Sequence, residues 1–241
     1  MLEGLVGGLT DIIYPNKCPA CKTKVVGRWH DHFLCGHCRS KIKKNLPPFC
    51  HSCGRRLSKS GFAKNICPSC QKARMHFDRA FSPFTYEGPI KEVIHEFKYR
   101  GKDYLGKPLS RMMIDFVREY NIGAHLMDSV VAVPLSKARL REREFNQAHI
   151  LAVHIGQAFN KEVLSDVLCR SRHTLTQTEL KPEERLANVK DSFLVISPAA
   201  VNGKNLILVD DVLTTGATSS EAARALKDAG ANIVFVLTLA N

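Results

Sequence analysis

Two carboxylates in succession, Asp210 and Asp211, close an apolar run rich in branched side chains, Leu206-Ile207-Leu208-Val209. Such a run suits a buried parallel strand, which delivers both acids at its C-terminal tip. Val212 and Leu213 then lead into Thr214-Thr215-Gly216-Ala217-Thr218, small hydroxyl residues around a glycine, and residues 217–229 carry a helical pattern. A turn of that composition at a helix start points backbone N–H groups at its occupant, which makes it an anion cradle. Carboxylates beside a phosphate cradle imply a ligand with both hydroxyls and phosphate. The acids accept from sugar hydroxyls or hold Mg²⁺, while the N–H groups hold the phosphate. The plainer reading of the same residues is a strand–turn–helix corner with two solvated aspartates.

A second set of residues has metal chemistry written into its spacing. Eight of the nine cysteines fall into C-x-x-C pairs: Cys18 and Cys21, Cys35 and Cys38, Cys50 and Cys53, Cys67 and Cys70. The third pair repeats the first after 32 residues and the fourth repeats the second after the same interval, an internal duplication. In each half thirteen residues separate two knuckles, a spacing that lets them converge on one tetrahedral ion. A disulfide framework is the competing reading, but it belongs to oxidising compartments, and no secretory signal is evident here. Two structural zinc sites of four cysteines each are therefore expected, and four thiolates leave no open position for water. Sequential pairing and an interleaved pairing, with the first and third knuckles on one ion, both fit the spacing. His30, His32, His37 and His51 lie near the knuckles and read as surface or outer residues.

The chain has 241 residues, 44% of them hydrophobic, and a formal net charge of +12. That is enough for one α/β domain and a small appendage. Residues 1–76 hold 14 basic against three acidic residues, a balance of +11, and residues 77–241 hold 21 against 20. Eight thiolates on two Zn²⁺ lower the first figure to about +7. A basic face of this size is either a solvated surface or a site for nucleic-acid phosphates. Lys41, Lys43, Lys44, Arg55, Arg56, Lys59 and Lys64 are interleaved with Trp29, Phe33, Phe49 and Phe62. Those aromatics either stack on the bases of a single strand or form the small module's own core. No apolar run approaches the roughly 18 residues of a membrane span. The apolar spacing over residues 2–13 predicts a short packing helix in a cytoplasmic protein.

The elements that must position these groups follow in order. The composition changes around Met75 to Asp78, so the reading is an N-terminal module over 1–76 and an α/β domain over 77–241. In the latter, residues 79–86 alternate like a strand. Gly88-Pro89 opens a helix with Ile90, Val93, Ile94 and Phe97 on its core face, closed by Lys98-Tyr99-Arg100-Gly101-Lys102. A second amphipathic helix is expected over 105–120, and the first buried parallel strand of the sheet over 128–133. Strand, helix and strand then alternate, with strands expected over 163–170 and 233–239 and Gly230 ending the last helix. Pro134-Leu135-Ser136-Lys137 lies at a strand tip, where open α/β sheets bind ligands. Cys169 reads as a small buried hydrophobe, and His95, His125, His149, His154 and His173 show no partner pattern.

The run from Leu206 through the acid pair to TTGAT resembles the motif with which type I phosphoribosyltransferases bind phosphoribosyl pyrophosphate (PRPP). The resemblance implies Asp210 and Asp211 as the catalytic residues, holding the ribose 2′ and 3′ hydroxyls. It puts Thr214, Thr215, Gly216, Ala217 and Thr218 on the 5′-phosphate. Leu135, Ser136 and Lys137 become the pyrophosphate loop, with Arg139, Arg141 and Arg143 behind them facing a Mg²⁺-bound diphosphate. It also makes residues 171–188 a loop over the reacting centre, with Gln177, Thr178, Arg185 and Asn188 as contacts. Purine-salvage members carry a carboxylate at the first loop position, where this chain has Thr214, and a threonine cannot act as a base near neutral pH.

Three further stretches sharpen the resemblance: YEGPIKEVIHEFKYRGK over 86–102, LREREFNQA over 140–148 and QTELKPEERLANV over 177–189. With the paired knuckles they resemble the ComF family of competence proteins along essentially the whole chain. Members usually show glycine where this chain has Glu144. The resemblance implies a type I phosphoribosyltransferase-like parallel sheet with helices on both faces, preceded by a small tandem zinc-ribbon module. It implies a role in natural transformation, with single-stranded DNA on the zinc module and a ComFA-like helicase as partner. Active transfer of ribose 5-phosphate from PRPP to an acceptor is the other function it allows.

Overall fold

A computed structural model describes residues 17–25, 33–57, 65–72, 75–171 and 189–241. The helix expected over 2–13, Trp29, His30, His32, Lys59, Phe62, Lys64, and the loop candidates Gln177, Thr178, Arg185 and Asn188 lie outside them.

Among the described residues the elements run α1 (Gly36–Ser40), α2 (Pro68–Lys72), β1 (Arg79–Phe81), α3 (Gly88–Tyr99), α4 (Gly106–Glu119), β2 (Ser129–Ala132), α5 (Lys137–Arg143) and α6 (Gln147–Phe159). They continue with β3 (Glu162–Val163), β4 (Leu168–Arg170), β5 (Phe193–Val195), β6 (Asn205–Val209), α7 (Ala217–Asp228) and β7 (Ile233–Leu237). Five strands form one sheet in the order β1-β7-β6-β2-β3, every neighbouring pair parallel. β4 and β5 pair antiparallel on their own.

Alternation along the strands divides the core. Ile207 and Val209 of β6 join Val130 and Leu237 against Ile94, Phe97, Met113 and Leu151 of the helices α3, α4 and α6. Leu206 and Leu208 face the other way, with Val131, Val234 and Val236, toward Ala222, Ala223 and Leu226 of α7. Both faces of the sheet are thus covered, which a parallel sheet requires. The chain leaves β6 for β7 on one side and β2 for β3 on the other, so the neighbours β6 and β2 flank the topological switch point.

Three expectations are corrected. β2 is not the first strand of the sheet, because β1 already pairs with β7. The strand expected over 79–86 stops at Phe81, since Pro83 has no N–H and gives its carbonyl to the Asn45 N–H at 2.8 Å. The strand expected over 163–170 is broken: Ser165-Asp166 makes a turn, with Val163 in the main sheet before it and Leu168 in the antiparallel pair after it.

The zinc module shares this core. Phe33, Leu34 and Cys38 sit in the cluster with α3 and α4, while Cys50, Cys53, Leu57 and Cys67 sit in the cluster with α7. Asn45, 2% exposed, donates to the carbonyls of Gly54 (2.8 Å) and Ser82 (2.9 Å) and accepts from the Arg56 N–H. Gly54 (φ +68°) is irreplaceable by geometry, since a Cβ there would lie 2.1 Å from the Ala80 carbonyl oxygen. No helix among the described residues is long and apolar enough to cross a membrane.

Candidate functional site

Two sites come out of this fold, one of sulfur and one of charge. Cys18, Cys21, Cys35 and Cys38 form one group and Cys50, Cys53, Cys67 and Cys70 the other, with the four Sγ atoms of each within 4.8 Å of one another. Sequential pairing is therefore the correct one of the two arrangements. The Sγ atoms of Cys21 and Cys35 are 3.6 Å apart, and those of Cys53 and Cys67 are 3.7 Å apart. Four sulfurs at about 2.3 Å from a tetrahedral ion stand about 3.8 Å from each other, whereas a disulfide needs about 2.05 Å. Backbone N–H groups of Cys38 and Cys67 donate to the sulfurs of Cys35 and Cys50 at 3.4 and 3.3 Å, which suits thiolate acceptors. The donor set fits two closed, structural Zn²⁺ sites.

The second site is a cavity of about 340 Å³ at the tips of β2 and β6. Asp210 and Asp211 extend β6, fixed by bonds from Asp210 N–H to the Leu237 carbonyl (3.1 Å) and from Leu239 N–H to the Asp211 carbonyl (3.0 Å). The two carboxylates have different company. Asp210 Oδ1 accepts from the Asp211 N–H (2.8 Å) and Oδ2 from the Ser219 hydroxyl (3.3 Å). Burial, then the neighbouring Asp211 charge, pushes the Asp210 carboxyl up to about 7. Asp211 instead pairs with Lys98 Nζ at 2.8 Å, both side chains mostly buried, with Arg143 Nη1 3.9 Å from its other oxygen.

The wall opposite is cationic. Arg143, 7% exposed, donates to Gln147 Oε1 (3.2 Å) and to the Tyr99 hydroxyl (3.1 Å), and its guanidinium lies 4.8 Å over the Tyr99 ring. Its Nε is buried without a partner. Arg139 and Arg170 line the same cavity. Burial first, then a neighbouring guanidinium group, lowers both, Arg170 to about 10. A pocket lined this way favours a polyanion.

Of the residues singled out in the sequence, Leu135, Asp210, Asp211, Thr214 and Thr218 line the cavity together with Arg139 and Arg143. Ser136, Lys137, Thr215, Gly216 and Ala217 do not. Ser136 is buried and caps α5, its hydroxyl accepting from the Arg139 N–H at 3.4 Å, and Lys137 begins that helix at the surface. Thr215 Oγ1 accepts from the Ala217 N–H at 3.4 Å, which shapes the turn rather than its mouth. Gly216 has φ +79°, the left-handed conformation that glycine supplies at a helix entry. Lys98 and Tyr99, which in the sequence only close a helix, and Arg170 are site residues that carry no assigned role there. The signal for Lys98 is its seven-residue offset from Lys91, which also lines the cavity: both flank the apolar stripe of α3 on one side.

On the zinc module, Lys41, Lys43, Lys44, Arg55 and Arg56 are exposed, with Lys43 paired to Glu87 at 3.0 Å. Of the interleaved aromatics, the two among the described residues, Phe33 and Phe49, pack against the core. Phe33 is buried, and Phe49 packs edge-on against Phe116 and Tyr120 at centroid distances of 5.9 and 5.3 Å.

A parallel sheet wound both ways, an acid pair at its switch point and a small-residue turn into the next helix define a type I phosphoribosyltransferase-like domain, here joined to two ribbons of four cysteines each. The family model described as a double zinc ribbon domain matches residues 9–73. Competence protein F of Haemophilus influenzae is 29% identical over 210 residues, spanning 86% of this chain and 90% of that protein. DNA utilization protein YhgH of Escherichia coli K12 is 29% identical over 228 residues, spanning 93% and 96%. Competence protein ComFC of Bacillus subtilis is 31% identical over 207 residues, spanning 83% and 80%. The chain belongs to the ComF family. Among solved structures, a glutamine PRPP amidotransferase from B. subtilis with ADP and GMP aligns at 22% identity and a TM-score of 0.35, over 61% of this chain and 27% of that one.

Proposed function

We propose that this chain is a cytoplasmic ComF-type protein of DNA uptake that binds PRPP in the switch-point cavity and single-stranded DNA on its basic zinc module. The observation that carries the PRPP reading is the division of the cavity: acceptors for sugar hydroxyls on the β6 tip, and Lys98, Arg139, Arg143 and Arg170 around them for the anionic ends. The acid pair also offers the hard oxygen donors that Mg²⁺ takes, and a Mg²⁺ arriving with the ligand would neutralise charge on the diphosphate. Calorimetric titration of the zinc-loaded protein with PRPP, with and without Mg²⁺, tests it. Binding that needs Mg²⁺ and is lost in the Asp210→Asn, Asp211→Asn double variant is expected. No binding at millimolar PRPP refutes the reading and leaves the sheet as a scaffold.

The DNA reading rests on phosphate contact by exposed cations, since Phe33 and Phe49 are packed inside. Replacing Lys41, Lys43 and Lys44 with glutamate should abolish single-strand binding, and unchanged affinity would sink the role of that face. A ComFA-like helicase is the partner such a protein would serve. Active transfer is a second reading, favoured by the cations gathered where a diphosphate would leave. It predicts pyrophosphate release that requires Asp210 and Asp211. Thr214 in place of an acid argues against a purine acceptor needing a base at that position.

A further inference from the structure

The phosphate turn is built by two parts of the chain. Residues 214–218 contain no cation, and the basic side chains Lys98 and Arg143 converge on Asp211 at the other end of the acid pair. Arg139 and Arg170 line the same cavity, but a sugar phosphate in this turn would find only backbone N–H groups and hydroxyls, and no cation, in the turn itself. The second zinc ribbon supplies one. Arg55 Nη2 donates to the Thr214 carbonyl at 3.3 Å, and Arg55 belongs to the zinc knuckle itself, its carbonyl accepting from the Cys50 N–H at 2.7 Å. The chain leaving that ribbon braces the same turn. Met75 packs its sulfur over Gly216, 3.3 Å from where a Cβ would stand, and the His76 N–H donates to Ser220 Oγ at 3.0 Å.

We infer that Arg55 is a ligand-binding residue: the second zinc ribbon provides the guanidinium that pairs with the terminal phosphate of a sugar phosphate seated in the Thr214–Thr218 turn. Its present partner is a neutral carbonyl, and a guanidinium has further donors left over for a phosphate oxygen beside it, a stronger acceptor. The inference rests on the reading of the cavity as a PRPP site and goes beyond it by making the ribbon part of that site.

The test uses the zinc-loaded full chain and two probes, ribose 5-phosphate, which carries the terminal phosphate only, and inorganic pyrophosphate, which reports on the opposite end. Arg55→Ala should weaken ribose 5-phosphate about tenfold to a hundredfold, leave pyrophosphate within twofold, and Arg55→Lys should recover part of the loss. Melting curves of both variants should match the parent, since Arg55 is exposed; if the alanine variant does not fold, Arg55→Gln replaces it. Ribose 5-phosphate affinity within twofold of the parent overturns the inference while the parent's own binding preserves the PRPP reading. Equal losses for both probes also overturn it, because they mean a general change of charge or fold. A parent protein that binds neither probe removes the PRPP reading and this inference with it.

Discussion

Asparagine at position 210 should make this protein more stable, and the gain should depend on pH in a way that only the buried carboxyl explains. Asp210 rises from an ordinary 3.8 to about 7 in the folded chain. Between about pH 4 and 7 the folded state therefore keeps a proton that the unfolded state has lost, so stability falls as pH rises through that window. Converted at about 1.36 kcal/mol per pH unit, the penalty reaches a ceiling of about 4 kcal/mol above pH 7, against about 2 kcal/mol at pH 5. Asparagine carries no charge to desolvate. Its Oδ1 can accept from the Asp211 N–H and its Nδ2 can donate to Ser219 Oγ, which keeps both bonds of the parent. Because Asp210 faces a water-accessible cavity, half the ceiling is the working figure: about 2 kcal/mol at pH 8, or about 4–8 °C in Tm for a chain of this size. Thermal melts of parent and Asp210→Asn at pH 5, 6, 7 and 8 read it directly. The matched control is Asp211→Asn, which strands Lys98 and should lower stability by on the order of 3 kcal/mol. An Asp210→Asn protein that melts below the parent at pH 8, or whose advantage is the same at pH 5 and 8, refutes the account of this carboxyl.

Other outcomes follow from the same contacts. Ribose 5-phosphate affinity should rise as pH rises from 6 to 8, because a protonated Asp210 accepts fewer hydroxyl bonds; a flat profile by calorimetry counts against Asp210 as an acceptor. Elemental analysis should find two zinc ions per chain. Cys53→Ser, at an almost fully buried ligand, should lower Tm more than Cys21→Ser at an exposed one, and the reverse order in melting curves would contradict the shared core. Glu144→Gly should stabilise by on the order of 1 kcal/mol, since Glu144 is held at φ +67° where α5 ends; equal or lower Tm would show that the conformation is not strained.

The parts of the fold that could be read in advance are those whose chemistry is local. Asp210, Asp211 and the Thr214–Thr218 turn are contiguous, so one stretch specifies strand tip, acid pair and helix entry together. The cysteine knuckles announce four ligands by spacing, although only the packed chain decides between sequential and interleaved pairs. Lys98 and Arg170 have no site role in the sequence reading for the opposite reason. Each is unremarkable in its own segment, one at the end of a helix and one at the end of a short strand, and only the winding of β2 and β6 in opposite directions brings both to one cavity. Ser136 shows the converse error of locality: a hydroxyl at a strand tip looks like a ligand group, yet a helix start has its own demand for an acceptor, and the cap took it. Glu144 takes the left-handed conformation at the end of α5 without being glycine, so the cost of that turn falls on its side chain.

Residues on both sides of the composition change near residue 76 pack in the same two clusters. Each ribbon braces one side of the cavity. The first reaches α3, where Lys22 pairs with Glu96 at 2.7 Å and Lys102 bonds the same carboxylate. Burial alone would raise Glu96, yet these two ammonium groups hold it below its ordinary 4.5, so the pairs favour the charged form. Two residues along the same helix, Lys98 holds Asp211. The second ribbon reaches the phosphate turn through Arg55, Met75 and His76. The first ribbon thus reaches the helix that carries Lys98, and the second reaches the Thr214–Thr218 turn directly. On the proposed PRPP reading, loss of one metal should disturb the end of the ligand nearest its ribbon, the sugar hydroxyls for the first and the terminal phosphate for the second.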